Sequence, residues 1–139
     1  MTGAAGGMGR ALCMRLGREG AHLGLVDRDE AALKQVQLDL ERAGVRCAAA
    51  PADVRSRDQL RAAIDTVTKA LAPVDICVAA AGVCGISSAD DLRVPVLEEM
   101  LQVNFLGRGR DEPMTAPPSR ESALLLKVTP GGVLEGLMK

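Results

Sequence analysis

Aromatic side chains are almost absent from this 139-residue sequence, which contains one phenylalanine (Phe105) and neither tryptophan nor tyrosine. This scarcity excludes a platform on which the bases of single-stranded nucleic acid could stack. The 17 Lys and Arg residues nearly balance the 18 Asp and Glu residues, so the basic excess that attracts a phosphate backbone is missing too. We therefore expect no nucleic-acid partner. The lack of tyrosine also excludes any mechanism in this chain that needs a phenolic acid or base.

Long apolar runs are absent as well. No uninterrupted stretch of about 18 apolar residues occurs, so we expect no membrane partner and no membrane span. The first ten residues, MTGAAGGMGR, lack the basic and then apolar pattern of a secretory signal, which predicts a cytoplasmic protein. What is present, an apolar fraction of 47% and a net charge of −1, is typical of one ordinary folded domain.

Metal-ligating residues are also sparse. The four cysteines (Cys13, Cys47, Cys77 and Cys84) form no CxxC pair, and His22 is the single histidine. This set cannot complete a Cys/His zinc site, so the sequence predicts no metal. We interpret the cysteines as buried free thiols of a protein in a reducing compartment.

Short apolar runs alternate with helical patterns through the first 106 residues. The predicted helices cover 8–19, 29–43, a stretch after Ser56 that Pro73 ends, and a last one that Pro95 opens with Leu97, Met100 and Leu101 facing inward. The predicted strands cover 22–26, 45–50 and 76–80. Strands that alternate with helices of this length indicate βαβ units and a parallel sheet. The predicted fold class is therefore α/β.

The composition changes at Gly107. Residues 107–139 hold four of the seven prolines and five of the 15 glycines, and their apolar positions follow no period for long. We predict one domain over 1–106 and a divergent, weakly folded Pro/Gly-rich tail over 107–139.

The segment from Thr2 to Gly9 is rich in glycine and leads directly into an amphipathic helix. Glycines there permit positive φ and let backbone N–H groups approach a pyrophosphate at the positive end of the helix dipole. Asp27 follows Gly9 by 18 positions, at the end of the next strand, where a carboxylate can accept hydrogen bonds from ribose hydroxyls. The order of these features predicts a dinucleotide site, the alternative being a flexible glycine terminus followed by a surface aspartate.

With these features, the segment from Thr2 to about Gly107 resembles the short-chain dehydrogenase/reductase family. The family's TGxxxGxG signature is matched by Thr2, Gly3, Gly7 and Gly9, with Met8 between the last two. The acidic residue after the family's second strand is matched by Asp27, and the Asp-Val pair that holds the adenine is matched by Asp53 and Val54. The family's Asn-Asn-Ala-Gly motif stands here as Ala79-Ala80-Ala81-Gly82, and its Val-Asn-x-x-Gly stretch with the catalytic asparagine is matched by Val103, Asn104 and Gly107.

This resemblance implies a Rossmann-like, doubly wound parallel sheet and an oxidoreductase that transfers a hydride between a nicotinamide and an alcohol or carbonyl. The implied cofactor-binding residues are Thr2, Gly3, Gly7, Met8, Gly9, Asp27, Arg28, Asp53, Val54, Ala81 and Gly82. Asp27 favours NAD in the family, whereas the neighbouring Arg28 is able to meet the 2′-phosphate of NADP. We therefore expect NAD, with NADP the less favoured cofactor.

Three departures from the family accompany the matches. The family's first strand, which feeds the glycine loop, is missing, both asparagines before Ala81 are alanines, and nothing after Gly107 matches the catalytic serine or the Tyr-x-x-x-Lys helix. We expect an incomplete fold that lacks the first strand and the C-terminal half, with Asn104 orphaned from its catalytic tetrad and acting instead as a polar residue that fixes a helix end. We therefore expect the chain to be the nucleotide-binding half of such an oxidoreductase and to be catalytically impaired. The alternative is a non-catalytic truncated isoform that forms homo- or hetero-oligomers with a full-length relative.

Overall fold

A computed structural model describes residues 1–85 and 93–107 of the chain. The elements in chain order are α1 (Gly7–Arg18), β1 (Leu23–Asp27), α2 (Glu30–Arg42), β2 (Cys47–Pro51), α3 (Arg57–Ala70) and α4 (Val94–Leu101), and a π-helical turn (Gln102–Gly107) continues α4. The predicted tail lies outside the described residues, apart from Gly107. In the described part of the chain, no helix is both long enough and apolar enough to cross a bilayer.

The strands form a parallel arrangement with Thr2 at its centre. β1 pairs with β2 in parallel register from Leu23 opposite Cys47 to Asp27 opposite Pro51. Thr2 makes one parallel bridge to Val26 of β1 and another to Ala79. The predicted α/β fold is confirmed, and Thr2 lies between β1 and the segment that contains Ala79.

The predicted strand over 76–80 is wrong in its extent, because only Ala79 pairs in this segment. A β-strand forms through backbone hydrogen bonds to a neighbouring strand, and among the described residues only Thr2 pairs with this segment. The Thr2 N–H donates to the carbonyl oxygen of Val78 at 3.0 Å, and this bond holds the segment beside β1.

The core has two halves, one on each face of the strands. On one face Leu25 packs with Leu33 and Leu40 of α2 and with Cys13 of α1, all nearly inaccessible to solvent. On the other face Val26 packs with α3 and with Val103 of the π-helical turn. Successive strand residues point to opposite faces, so a strand covered on both sides is apolar throughout. This arrangement explains the unbroken apolar run in β1.

The α4 helix corrects another expectation. It begins beside Pro95 as predicted, but it buries no residue, and Leu97 and Leu101 are exposed rather than inward. The first buried side chain of this region is Val103, one residue into the π-helical turn. Val96 and Met100 are half-buried, and both lie close to Gly85, so in the described residues α4 packs against this segment and not against either half of the core.

The cysteines are free, but the expectation that all are buried is wrong. Only Cys13 is buried, Cys47 and Cys77 are half-buried, and Cys84 is exposed. Burial raises the pKa of the Cys13 thiol to about 11, since the charged thiolate is poorly solvated between α1 and β1.

Candidate functional site

A crevice of about 360 Å³ opens at the carboxyl ends of β1 and β2. Ten of the eleven residues expected to bind a cofactor line it, namely Gly3, Gly7, Met8, Gly9, Asp27, Arg28, Asp53, Val54, Ala81 and Gly82. Thr2, the eleventh, is buried and pairs with both flanking segments. The edge at which parallel strands end and their order reverses is where ligands of open α/β sheets bind.

The glycine loop packs backbone against backbone. Gly3 has φ +68°, and a Cβ placed on it would lie 2.6 Å from the backbone nitrogen of Ala81. A Cβ placed on Gly9 would collide with the carbonyl oxygen of Gly3. These contacts require glycine at both positions, and they pack Gly3 between the start of α1 and the segment that carries Ala81 and Gly82.

The amino end of α1 faces the crevice without a side-chain cap. Gly6 is the N-cap residue and offers no side-chain acceptor, and the first turn contains no acidic residue. Helix amino ends carry unsatisfied N–H groups and a partial positive charge. With Gly6, Gly7 and Met8 all lining the crevice, this helix end is suited to an anionic group such as a pyrophosphate.

Asp27 ties the end of β1 to the glycine loop. Its Oδ2 accepts a hydrogen bond from the Ala5 N–H at 3.0 Å, and its Oδ1 accepts one from the Asp29 N–H at 3.1 Å. A carboxylate has about four acceptor positions, so both oxygens keep the capacity to accept from a ligand hydroxyl. Asp27 thus places a negative charge at a fixed point of the crevice lining.

Arg28 forms a salt bridge that points away from the glycine loop. Its Nη1 lies 3.2 Å from Oε1 of Glu99 on α4, and both side chains are about half exposed. Sequence reasoning did not find this pair, because the two residues are 71 positions apart and no periodic pattern joins them.

Asp53 follows β2 and is held by its neighbour Arg55. The Arg55 Nε donates to both Asp53 oxygens, at 3.0 and 2.9 Å, and the Asp53 N–H donates to Oε1 of Gln59 at 2.9 Å. The hydrogen bond from Arg55 holds the pKa of the Asp53 carboxyl below its ordinary value. Val54, which follows, is buried against α3. The carboxylate is therefore ionised and fixed in orientation at the crevice.

Asn104 lies in the π-helical turn and contacts the crevice through Val83. Its Nδ2 donates to the Val83 carbonyl oxygen and its Oδ1 accepts from the Val83 N–H, both at 2.8 Å. The side chain thereby pairs with the backbone as a neighbouring strand would. This geometry places Asn104 behind the segment with Ala81 and Gly82 and joins that segment to the end of α4.

Several lining residues were not expected from the sequence. They are Ala5, Gly6, Asp29, Ala32, Ala52, Ala80, Val83 and Val103. Ala5 and Gly6 occupy variable positions of the glycine signature, so only their place between the signature glycines could have indicated that they line the crevice. In the described ranges, no group of three or more His, Cys, Asp or Glu side chains is placed to hold a metal ion.

Comparison with known proteins gives one consistent family. A family model described as short chain dehydrogenase matches residues 1–109. The glycine betaine reductase ATRR of Emericella nidulans is 36% identical over 107 residues, which are 77% of this chain and 8% of that protein. The 2,3-dihydro-2,3-dihydroxybenzoate dehydrogenase of Bacillus subtilis is 36% identical over 111 residues, covering 77% of this chain and 41% of that one.

Solved structures agree with this result. An actinorhodin polyketide ketoreductase crystallised with NADPH matches with a TM-score of 0.73 and 30% identity, over 81% of this chain and 43% of that one. A xylitol dehydrogenase with bound NAD⁺ matches with a TM-score of 0.77 and 25% identity, over 82% of this chain and 44% of that one. The chain thus spans less than half the length of these relatives.

Proposed function

The chain belongs to the short-chain dehydrogenase family of oxidoreductases, and we propose that its crevice binds a nicotinamide adenine dinucleotide. The observation that carries this proposal is the close backbone packing of Gly3 and Gly9 at an uncapped helix start, beside the fixed carboxylate of Asp27. A flexible glycine terminus would show neither the close contacts nor the Asp27 bond to the loop.

The lining divides into regions with different chemistry. The first turn of α1 suits the pyrophosphate, because it presents N–H groups and a partial positive charge. Asp27 suits the adenosine ribose, because its oxygens accept hydrogen bonds from hydroxyl groups. Asp53 and Val54 offer a polar and an apolar contact to the adenine, and Ala81 and Gly82 are left for the nicotinamide side. A bound dinucleotide would supply the hydride chemistry.

We propose NAD rather than NADP as the cofactor. A 2′-phosphate near Asp27 would meet a negative charge that two backbone N–H groups hold in place. The cation most able to offset that repulsion, Arg28, is paired with Glu99 instead. Solved relatives contain either cofactor, so the choice rests on these two side chains.

Titration calorimetry of the full chain with NADH and NADPH tests the site. We expect one site per chain and at least tenfold tighter binding of NADH. Asp27→Asn removes the charge that selects against phosphate, so the ratio of the two affinities should fall several-fold. Glu19→Gln is the matched control, because Glu19 pairs with Arg15 on the surface of α1 and does not line the crevice. Equal affinities in the unchanged chain, or the same shift in the control, would contradict the proposal.

We further propose that this chain alone does not turn over substrate. In the family, a tyrosine transfers the proton at the substrate carbonyl, and the sequence has no tyrosine at any of its 139 positions. Proton transfer by a positioned side chain contributes typically 10²–10⁴-fold in rate. Incubation with NADH and a panel of ketones should give no oxidation above a control without protein. Oxidation well above that control would refute this proposal.

A second candidate function is that of a non-catalytic partner of a full-length relative. Its support is the set of large apolar side chains exposed on α4 and the π-helical turn, where Val94, Leu101 and Phe105 are 54%, 60% and 73% exposed. Co-expression and pull-down with a full-length relative should recover a complex that Phe105→Asp disrupts and Ile76→Asp, a change on a different surface, leaves intact. Failure to co-purify would remove this candidate.

We also propose a cytoplasmic location. Its support is that all four cysteines are free, as is usual for proteins of a reducing compartment. Cell fractionation of a chain carrying a C-terminal tag should place it with soluble cytoplasmic markers, and recovery with a membrane fraction would contradict this location.

A further inference from the structure

Arg28 is the single cation that lines the crevice in the described part of the chain. Three carboxylates, those of Asp27, Asp29 and Asp53, line the same crevice. Opposite charges attract and like charges repel over these short distances, and the surrounding carboxylates repel any further anion. The availability of this one guanidinium therefore decides whether the crevice can neutralise an additional negative charge on a ligand.

The three carboxylates are held by partners other than Arg28. Asp27 accepts hydrogen bonds from two backbone N–H groups. The Asp29 side chain caps α2 by accepting from a backbone N–H of its first turn at 2.9 Å. Asp53 accepts from Arg55. Their negative charges are therefore fixed in position independently of where Arg28 points.

Arg28 itself pairs with a carboxylate outside the crevice lining. Its Nη1 lies 3.2 Å from Oε1 of Glu99, which belongs to α4 and does not line the crevice. The guanidinium still acts on the crevice: the hydrogen bond from Arg55 is the main cause that lowers the pKa of the Asp53 carboxyl, and the charge of Arg28 adds to this effect. Arg28 is therefore close enough to interact with a ligand, but it is bonded to α4.

The position of Glu99 does not depend on this ion pair. The helix α4 continues into the π-helical turn, where Val103 is buried in the core and Asn104 makes two hydrogen bonds to Val83. A variant that removes the Glu99 carboxylate therefore releases Arg28 without removing the contacts that hold the end of α4 in place.

A phosphate on the 2′-hydroxyl of the adenosine ribose would compete with Glu99 for Arg28. Such a phosphate carries about two negative charges at pH 7 and, under the proposed function, would lie near the carboxylate of Asp27. A guanidinium can offset this charge with two parallel hydrogen bonds, but Arg28 must first leave Glu99. NAD has no phosphate at this position and leaves the ion pair intact.

We propose that Glu99 is a positioning residue that sets the cofactor preference: by holding Arg28, it withholds this cation from a 2′-phosphate and so favours NAD over NADP. This inference rests on the proposed dinucleotide site and names the residue that controls its selectivity. Glu99 does so from outside the crevice lining, through Arg28.

Titration calorimetry of the full chain at low ionic strength, with NADH and with NADPH, tests this role. Glu99→Gln keeps the length of the side chain and removes its charge. NADPH should then bind about three- to tenfold more tightly, because an exposed ion pair no longer competes and one negative charge is removed. The affinity for NADH should change by less than about twofold. At high salt the gain for NADPH should shrink, because exposed charges are screened.

Two further variants show whether the effect passes through Arg28. Glu98→Gln removes the same charge from the neighbouring position of α4, where the side chain is exposed and lies outside the crevice lining. It should leave the ratio of the two affinities unchanged. In a chain that carries Arg28→Met, Glu99→Gln should no longer change that ratio.

The outcomes separate the role of Glu99 from the dinucleotide site. If NADH binds but Glu99→Gln leaves the affinity for NADPH unchanged, or Glu98→Gln raises it equally, the role of Glu99 is overturned and the site stands. A gain from Glu99→Gln that persists in the chain with Arg28→Met would also overturn this role. Absence of binding of both dinucleotides to the unchanged chain and to every variant would overturn the site and, with it, the role of Glu99.

Discussion

At the scale of single residues, the crevice depends on two glycines whose lack of a side chain lets three backbone segments meet. Gly3 approaches Ala81, and Gly9 approaches Gly3. Gly7, in the same signature, has no atom within 4 Å of the position where its Cβ would lie. Packing therefore requires glycine at positions 3 and 9 of the signature, but not at position 7.

This difference predicts that replacing glycine by alanine at positions 9 and 7 changes the free energy of unfolding in different ways. Gly9→Ala forces the loop and α1 apart, and overpacking of this kind costs about 1–3 kcal/mol of unfolding free energy. Gly7→Ala lies at the start of a helix with open space around it, so its stability should be unchanged or up to about 1 kcal/mol higher. Urea denaturation of both variants measures the difference. Equal destabilisation would show that the contact between Gly9 and Gly3 has no energetic role.

The pair of Asp53 and Arg55 predicts how stability depends on acid. Because the hydrogen bond from Arg55 lowers the pKa of Asp53 in the folded chain, the folded state favours the ionised carboxylate. The resulting stability is complete above the ordinary Asp pKa of about 3.9 and declines as pH falls through the lowered folded-state pKa. Asp53→Asn should lower the urea midpoint at pH 7, and the gap to the unchanged chain should narrow below pH 4. A constant gap at every pH would contradict this assignment.

At the scale of elements, local patterns predicted the helices and the two paired strands well. Ser56 caps α3, because its side-chain oxygen accepts a hydrogen bond from the Gln59 N–H. The Gln59 side chain, however, bonds to Asp53 rather than returning to Ser56, a choice set by the turn after β2. The apolar character of residues 76–80 predicts a strand, but whether these residues form one depends on pairing with a segment that is distant in sequence. The sequence also did not show which segment would pack against the apolar side of α4.

Asn104 joins two elements, and its removal should affect both stability and binding. Asn104→Ala leaves the N–H and carbonyl of the half-buried Val83 without their present partner, and the cost for each group is at most the roughly 1–3 kcal/mol of a fully buried one. Loosening this segment should also weaken NADH binding several-fold, because Ala81 and Gly82 line the crevice. Denaturation and calorimetry on the same variant measure the two effects. Unchanged stability would show that the bonds to Val83 are not formed in solution.

At the scale of the whole molecule, the two halves of the core meet at β1, with Cys13 on one side and Val103 on the other. The family and the residues that line the crevice could be predicted because the matching motifs lie close to the ends of the strands. A second cavity, beside Met1, could not be located from the sequence, because its walls come from α1, α3 and two distant segments that only the folded chain brings together.

Thiol reactivity reports whether the chain folds as a unit. Burial raises the pKa of Cys13 to about 11, so at pH 8 its thiol is protonated as well as inaccessible in the folded chain. Cys84 is exposed. Labelling with a disulfide reagent, mapped by mass spectrometry, should modify Cys84 promptly and Cys13 only under unfolding conditions. Equal labelling of both without denaturant would show that the core between α1 and β1 is not formed.

The most direct test of the central claim is an amide NMR titration of the full chain with NAD⁺. We expect saturable shifts at the backbone N–H groups of Gly3, Gly7, Gly9 and Gly82, which line the crevice, while Gly20 and Gly44, which lie outside it, stay unchanged. Shifts centred on residues outside the crevice, or no shifts at millimolar NAD⁺, would contradict binding at this site.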